Sequence, residues 1–227
     1  MSSADPARRT VVADSLGVGV ATGAYGISFG ALGTASGLDV AQTCALSLLA
    51  FTGASQFAFV GVIASGGAPL TGALTSVLLG SRNLFYGVSL AAMLRLRGLR
   101  RLAGAHLVID ESTAMAVAQD DPRLGRLGFW WTGLSIFVLW NLSTLLGAFA
   151  GTAIGDPRTY GLDAAVGAAF LGLLWPRLRT WSGRSVALLG AAVAVGLVPL
   201  SPAGVPIIVG GAVAVLIGLL APRRTRA

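Results

Sequence analysis

Residues 40–81 read VAQTCALSLLAFTGASQFAFVGVIASGGAPLTGALTSVLLGS, an unbroken run without a charged side chain. A helix of about 20 residues crosses the roughly 30 Å hydrocarbon layer of a membrane. This run is about twice that length, which is enough for two crossings. Three more uncharged runs cover residues 15–38, 127–155 and 185–222. Four such runs in one chain predict a protein that resides in the membrane.

The overall composition agrees with this prediction. Of 227 residues, 55% are hydrophobic and only 11% are charged, and the mean hydropathy is +0.79. An average soluble domain has about 25% charged residues. This composition argues against an ordinary soluble enzyme, a nucleic-acid-binding protein and a disordered chain. The single cysteine, Cys44, leaves no partner for an intrachain disulfide.

The chemistry-bearing residues argue against catalysis. All sixteen basic residues are arginine, so the chain has neither the lysine of a phosphate-binding loop nor a lysine for Schiff-base chemistry. His106 is the only histidine, which excludes a multi-histidine metal site. The sequence also contains no HExxH motif and no GxSxG motif. We therefore expect no enzyme activity, no cofactor and no metal.

The arginines predict the orientation of the chain. They gather between the apolar runs, at residues 8–9, 95–101, 123–126, 177–184 and 223–226. Short cytoplasmic loops of membrane proteins collect Arg and Lys. These clusters therefore predict cytoplasmic loops of a multi-pass protein in the cytoplasmic membrane. They also account for the net charge of +7 without a nucleic-acid partner.

The apolar segments predict an all-α fold, a polytopic transmembrane helical bundle that forms one integral membrane transporter domain over residues 1–227. About six or seven hydrophobic segments are expected, over residues 16–37, 41–64, 70–94, 127–154, 162–176, 185–200 and 206–221. Arg8 and Arg9 precede the first segment as they would precede a signal peptide, but we interpret it as a mature helix.

The number of apolar segments that hydropathy predicts before residue 95 is odd. If Arg8 and Arg95 are both cytoplasmic, an even number of crossings must separate them, whereas hydropathy predicts three segments. Either the N-terminus lies outside, or one segment enters the membrane and returns. Irregular backbone at membrane depth occurs where it lines a cavity. We expect broken or re-entrant helices in residues 41–94.

Glycine spacing predicts close helix packing. The first segment carries six glycines spaced by four or three residues, which places them on one face of a helix: Gly19, Gly23, Gly26, Gly30, Gly33 and Gly37. Small residues let helices approach closely in lipid. Gly210, Ala214 and Gly218 repeat the pattern more weakly. The alternative interpretation is a surface for a moving helix or a second subunit.

The first polar motif, GASQF at residues 53–57, lies in the middle of the longest uncharged run. Gly53 weakens a helix, and the Gln56 side chain offers one acceptor and two donors. Ser55 adds a hydroxyl. One interpretation is hydrogen bonding between helices, and the other is an opened turn that lines a solute site.

The second motif, GSRNLFYG at residues 80–87, places Arg82 between apolar stretches. A charged Arg at the centre of a membrane helix costs about 2.5–3.5 kcal/mol on insertion scales. An anionic partner is therefore expected, either a carboxylate of the protein or one of a substrate, because a guanidinium matches a carboxylate with two parallel hydrogen bonds. Asn83 and Tyr86 are predicted on roughly the same face as Arg82.

The third motif is DEST at residues 110–113, with His106 one turn earlier. The acids either begin a helix, where the dipole favours them, or act in the membrane. In the second case Asp110 or Glu111 supplies a counter-charge for Arg82, a ligand for a substrate ammonium, or a proton-coupling group. For His106 we favour local packing over a metal-ligand role.

These three motifs together resemble the AzlC family, the large subunit of branched-chain amino acid permeases. Residues 53–57 resemble that family's GASQF segment, residues 82–87 its Arg-His-Leu-Leu-Tyr-Gly segment, and residues 110–112 its Asp-Glu-Ser/Thr segment. The resemblance is clearest over residues 20–115. Asn83 stands where the family commonly has His, and Gly80 where it often has Asn, so a proton-carrying role for that His does not transfer to this chain.

The resemblance implies an exporter of valine, leucine and isoleucine that works with a small AzlD-type membrane subunit. Under this hypothesis the substrate-binding residues are Gly53, Ser55, Gln56, Arg82, Asn83 and Tyr86, and Asp110 and Glu111 are the coupling or counter-charge residues. Phe57 and Phe85 contribute to an apolar pocket. Without an ATP-binding motif, a proton gradient is the simplest driving force. The alternatives are a non-transporting membrane scaffold and a transporter of another small organic acid or amine.

Overall fold

The computed structural model describes residues 6–154, 171 and 174–220. Within these ranges the chain forms eleven α-helices: α1 (Pro6–Ala24), α2 (Gly26–Ala35), α3 (Val40–Leu49), α4 (Ala54–Ala64), α5 (Pro69–Gly80), α6 (Arg82–Leu94), α7 (Gly98–His106), α8 (Asp110–Val117), α9 (Pro122–Ile154), α10 (Trp181–Leu197) and α11 (Val205–Leu220). Short 3-10 turns at Trp175–Arg179 and Val198–Leu200 flank α10. The all-α helical fold is confirmed.

Within the described residues, four stretches of helix are long and apolar enough to cross a membrane. They are Pro6–Ala35, Pro69–Leu94, Pro122–Ala153 and Trp181–Leu200. The first comprises α1 and α2 with an interruption at Tyr25, and the second comprises α5 and α6 with an interruption at Ser81. Both interrupting residues keep right-handed helical backbone angles. Each pair of helices is therefore treated as one crossing.

The α1–α2 crossing packs parallel to α9 along its length. The Ser135 hydroxyl donates to the Ser15 carbonyl at 3.3 Å, and Gly23 and Gly30 lie against Leu139 and Thr144. The contacting residue numbers rise together, so both helices run in the same direction. We call the end of the bundle where α1 and α9 begin the near end, and the opposite end the far end.

The predicted glycine stripe mediates this packing through most of its length. Gly19, Gly23, Gly26 and Gly30 meet α9, and a Cβ built on Gly26 would lie 2.5 Å from the Trp140 carbonyl oxygen. The next glycine, Gly33, meets α3 instead. Gly37 does not belong to the stripe, because it lies beyond the end of α2 with φ +94°, and none of the described residues beyond its chain neighbours lies within 4 Å of its Cβ position.

Helices α3 and α4, of 10 and 11 residues, are each too short to cross a membrane alone. Helix α3 starts at the far end, where Thr43 touches Gly33. It then runs towards mid-depth, and the Ser47 hydroxyl donates to the Thr144 hydroxyl at 3.3 Å. The chain turns at residues 50–53, with Gly53 at φ +65°, a value that favours glycine.

Helix α4 then returns to the far end. It packs antiparallel to α5, because Phe59 lies against Gly72 and Ser55 against Gly80. The α5–α6 crossing finishes at the near end, where the Arg126 Nη1 group donates to the Met93 carbonyl at 3.2 Å. Helix α5 therefore begins at the far end, and α4 must run towards it. Helices α3 and α4 form a re-entrant hairpin, which we call the first hairpin.

This hairpin resolves the uneven count of crossings. Between Arg8 and Arg95 the chain crosses twice, through α1–α2 and α5–α6, while the first hairpin enters and returns. Both arginine positions consequently lie at the near end. The prediction of a re-entrant segment within residues 41–94 is confirmed, and the alternative that placed the two arginine clusters on opposite sides is wrong.

Helices α7 and α8 form a second re-entrant hairpin, which enters from the near end. Gly104 of α7 lies against Leu96, and His106 reaches mid-depth, where its ring centroid is 5.5 Å from that of Phe137. Helix α8 then returns, so that its Ala116 carbonyl lies beside Gly125 near the start of α9. We call α7 and α8 the second hairpin.

The last two helices pack against each other and against α5. Gly190 of α10 lies against Gly210 and Ala214 of α11, and Gly211 lies against Leu78. Because Gly204 touches Thr71 at the far end, α11 runs from the far end to the near end and α10 runs the opposite way. Helices are present at both of the segments predicted over 185–200 and 206–221. The predicted crossing over 162–176 falls largely outside the described residues.

Candidate functional site

A cavity lies at mid-depth where the two hairpins meet. Its volume is about 380 Å³, within the usual range for small-molecule sites. The first hairpin supplies Phe51, Thr52, Gly53, Ala54 and Phe57, and the second hairpin supplies Asp110 and Glu111 with the adjoining Ile109. The crossings complete the wall with Ala21, Thr22, Tyr25, Arg82, Ile136 and Trp140.

Arg82 forms an ion pair in this wall. Its Nη2 atom lies 2.6 Å from Oδ2 of Asp110, and the two side chains are 31% and 28% exposed. The Tyr86 hydroxyl donates to the other carboxylate oxygen of Asp110 at 2.9 Å. The buried Nε atom of Arg82 makes no hydrogen bond within the described part of the chain. The expected anionic partner of Arg82 is therefore present within the protein.

The partner of Arg82 is Asp110, whereas sequence alone left Asp110 and Glu111 as equal candidates. The two acids are the first two residues of α8, so their side chains diverge by about 100° around the helix axis. Glu111 lies in the same cavity wall without forming the ion pair. The cavity is therefore bordered by one paired and one further carboxyl group.

Two helices begin in the cavity wall. Helix α4 begins after Gly53 and α8 begins after Ile109, and the first N–H groups of a helix have no partner within it. The Gly53 N–H donates to Gln56 Oε1 at 3.1 Å, and the Ile109 N–H donates to Ser112 Oγ at 3.1 Å. Ala54, Asp110 and Glu111, with which the two helices begin, line the same cavity as Arg82, so the positive ends of both helix dipoles border the cavity.

Ser55 and Gln56 differ from the expectation that they line the site. Gln56 is fully buried, and its Nε2 group donates to the Leu46 carbonyl of α3 at 3.1 Å. The Ser55 hydroxyl forms a short hydrogen bond with the Thr52 hydroxyl. Both side chains are used to hold the break between α3 and α4, because the chain reversal leaves backbone groups that need partners at membrane depth.

Asn83 also differs from the expectation, because it lies on another face of α6. It borders a second cavity, of about 650 Å³, together with Gly87 and Arg101. Successive residues of a helix point about 100° apart, whereas Tyr86 follows Arg82 by four residues and shares its face. Phe85 is 67% exposed and does not belong to the apolar wall that was predicted for it.

Phe57 was expected in the apolar part of the wall, but Tyr25 and Trp140, which also line it, were not. The ring centroid of Phe57 lies 5.5 Å from that of Tyr25 and 6.1 Å from that of Trp140. The three rings come from α4, the interruption between α1 and α2, and α9. Aromatic residues within apolar segments are ordinary, so no sequence signal separates these from lipid-facing rings. His106 packs on Phe51 at 6.0 Å, in agreement with local packing.

Replacement of Gln56 is expected to destabilise the first hairpin. Gln56→Ala removes two hydrogen bonds and leaves the Gly53 N–H without its partner, while the Leu46 carbonyl keeps only the bond from the Ala50 N–H. A buried polar group left without its partner costs about 1–3 kcal/mol. Thermal unfolding in detergent should therefore show a lowered melting temperature. Gln119→Ala, which removes only a 4.0 Å contact to Met115, is the control, and an equal effect of both replacements would contradict this role of Gln56.

Comparison with known proteins places the chain among membrane proteins. A family model described as AzlC protein matches residues 17–154, a range that includes every residue of the cavity wall. Inner membrane protein YgaZ of Escherichia coli (strain K12) is 29% identical over 161 residues, 68% of this chain and 64% of the relative. This chain therefore spans slightly less than two thirds of that relative.

Two further relatives are named only as membrane proteins. An uncharacterized membrane protein of Archaeoglobus fulgidus is 33% identical over 171 residues, 74% of each chain. An uncharacterized membrane protein of Haemophilus influenzae is 23% identical over 172 residues, 74% of this chain and 70% of the relative. No solved structure matches the chain.

Proposed function

The chain belongs to the AzlC family of membrane proteins, and from this premise we propose that it is the large subunit of a secondary transporter that exports branched-chain amino acids. The observation that supports this most directly is Arg82, which lies in the wall of a mid-depth cavity and is paired with Asp110. Charged groups at membrane depth face cavities and mark solute pathways. Substrate sites of secondary transporters lie near mid-depth between interrupted helices.

The cavity supplies each type of group that an aliphatic amino acid requires. The substrate carboxylate would bind the Arg82 guanidinium, near the positive N-terminal ends of α4 and α8. The substrate ammonium would meet Asp110 or Glu111. The aliphatic side chain would pack on Tyr25, Phe57 and Trp140, which surround the apolar part of the wall.

The proposal includes a proton gradient as the driving force. The chain has no lysine for a nucleotide phosphate loop, so an ion gradient is the simpler source of energy. Asp110 and Glu111 are the carboxyl groups of the cavity wall, and carboxyl groups at membrane depth act as proton carriers in transporters. A bound substrate carboxylate would compete with Asp110 for Arg82 and would thereby free Asp110 to accept a proton.

The proposal also includes a partner and a location. The resemblance described above supports a small AzlD-type membrane subunit. Arg8, Arg95 and Arg126 all lie at the near end of the bundle, which we assign to the cytoplasmic side of the cytoplasmic membrane.

The test is transport by purified protein in lipid vesicles. The chain and its small subunit are reconstituted together, and release of radiolabelled leucine, valine or isoleucine is followed after a proton gradient is imposed. We expect release to depend on both subunits and on the gradient. Vesicles with the small subunit alone are the control. Transport of isovalerate or of 3-methylbutylamine with none of leucine would replace amino acids with an organic acid or amine as the substrate.

A further inference from the structure

Helices α2, α3 and α4 recur as α6, α7 and α8 at a nearly constant sequence interval. The sequence interval from Gly26 at the start of α2 to Arg82 at the start of α6 equals the interval from Ala54 at the start of α4 to Asp110 at the start of α8. The starts of α3 and α7, at Val40 and Gly98, are separated by almost the same interval. Two units, α1–α4 and α5–α8, therefore each contain an interrupted crossing followed by a re-entrant hairpin.

The two units have opposite orientations in the bundle. The α1–α2 crossing runs from the near end to the far end, and the α5–α6 crossing runs from the far end to the near end. The first hairpin enters from the far end, where Thr43 touches Gly33. The second hairpin enters from the near end, where Gly104 touches Leu96.

The hydrogen bonds at the two hairpin turns also correspond. In the first hairpin Gln56 accepts from the Gly53 N–H and donates to the Leu46 carbonyl. In the second hairpin Ser112 accepts from the Ile109 N–H and donates to the Leu107 carbonyl at 2.6 Å. In both, the third residue of the returning helix bonds to the backbone on each side of the turn. Hydropathy does not require this agreement, so it is independent support for a structural repeat.

We infer that α1–α4 and α5–α8 are two inverted structural repeats and that their re-entrant hairpins are the two gates of the cavity. The first hairpin closes the cavity towards the far end, and the second hairpin closes it towards the near end. In inverted-repeat transporters, movement of one repeat against the other exposes a fixed central site to alternate sides. The gate assignment rests on the proposed transport function, whereas the repeat itself does not.

The common support for both gates is α9. The tips of the hairpins touch each other through Phe51 and His106, whose ring centroids are 6.0 Å apart, and both rings pack on Phe137 of α9 at 5.1 and 5.5 Å. Helix α9 lies outside both repeats and is bound along its length to α1 and α2. A hairpin that shifts against α9 would open the cavity on its own side.

The repeat is tested by the side from which single cysteines react. In a Cys44→Ser background, cysteines replace one exposed residue at each end of each hairpin: Ala35, Ser65, Arg97 and Asp120. We expect Ala35→Cys and Ser65→Cys to react from one side of oriented vesicles with a charged maleimide, and Arg97→Cys and Asp120→Cys from the other. Each should react about tenfold faster from its own side, because the membrane core excludes charge. Reaction of Ala35→Cys and Ser65→Cys from opposite sides would overturn the repeat.

The gates are tested by access to the cavity wall. Ala54→Cys and Ile109→Cys place a thiol on either hairpin beside the cavity. With two alternating gates, each thiol should react with the charged maleimide added from either side, in separate experiments. Reaction from one side only, in protein that elutes as one species, would overturn the gate assignment. These labelling readouts need no substrate, so failure of leucine transport with labelling from both sides would reject the proposed substrate and leave the inference intact.

Discussion

Arg82→Ala is expected to weaken leucine export by reconstituted protein more than any other single replacement in the cavity wall. The replacement removes the group that would hold the substrate carboxylate and leaves the Asp110 carboxylate without its ion-pair partner. The two side chains are 31% and 28% exposed, and a hydrogen bond to a charged group contributes about 1.5–3 kcal/mol. Half-saturation by leucine should therefore rise by about tenfold or more, since about 1.4 kcal/mol corresponds to a factor of ten. Arg82→Lys should recover only part of the loss, because an ammonium group lacks the planar fork of a guanidinium.

The control for this prediction is Arg100→Ala, which removes an exposed arginine from α7. It should leave the half-saturation constant unchanged. Thermal unfolding of each variant separates loss of binding from loss of structure. An Arg82→Ala protein that folds and exports leucine normally would remove Arg82 from the binding site.

Exchange of the two charges separates substrate binding from a purely structural ion pair. The exchange must use Asp110, which is the observed partner. In Arg82→Asp combined with Asp110→Arg, a structural pair would regain both stability and function. A binding role predicts recovered stability without recovered export, because the guanidinium would then project from α8 instead of α6. Full recovery of export would favour the scaffold role for this pair.

Gly30→Leu is expected to prevent folding of the bundle. A Cβ on Gly30 would overlap the Thr144 carbonyl and lie 2.6 Å from the Ala148 nitrogen, and both are backbone atoms of α9 that no side-chain rotation can move. Overpacking commonly costs about 1–3 kcal/mol even where side chains can adjust. Because α1–α2 and α9 would have to separate here, we expect the yield of monodisperse protein in detergent to fall at least about tenfold.

Gly17→Leu is the matched control, because Gly17 lies on the same crossing and no other helix in the described part of the chain comes within 4 Å of its Cβ position. It should purify at a normal yield with an unchanged melting temperature. If Gly30→Leu and Gly17→Leu behaved alike, close packing of the glycine stripe on α9 would not stabilise the protein.

Much of the fold could be predicted from the sequence. Uncharged runs locate the membrane segments because a charge at membrane depth is costly wherever the chain folds. The glycine spacing predicts a packed face through Gly33, and it fails at Gly37 because the helix ends first. The arginine clusters required an even number of crossings before residue 95, which pointed to a re-entrant segment.

The candidate site was only partly predictable. Arg82 and the acids at residues 110–111 stand out because they are charged groups among apolar neighbours. The partner of Arg82 depends on the rotation of α8, which no local pattern sets. For the same reason the sequence could not show that Gln56 and Asn83 lie outside the site. The Gln56 amide donates to the Leu46 carbonyl, and Asn83 borders another cavity.

The sequence by itself determined which residues enter the membrane and which remain at its surface, because the cost of placing each residue in hydrocarbon depends mainly on that residue. Only the tertiary structure decided whether residues 41–64 cross or return, and which side chains surround Arg82. Residues 41–64 are apolar enough for either path, and their packing on α9 and α5 selects the hairpin. Contacts between Tyr25, Phe57 and Trp140 depend on where helices distant in sequence cross, and the hydropathy pattern does not specify these crossing points.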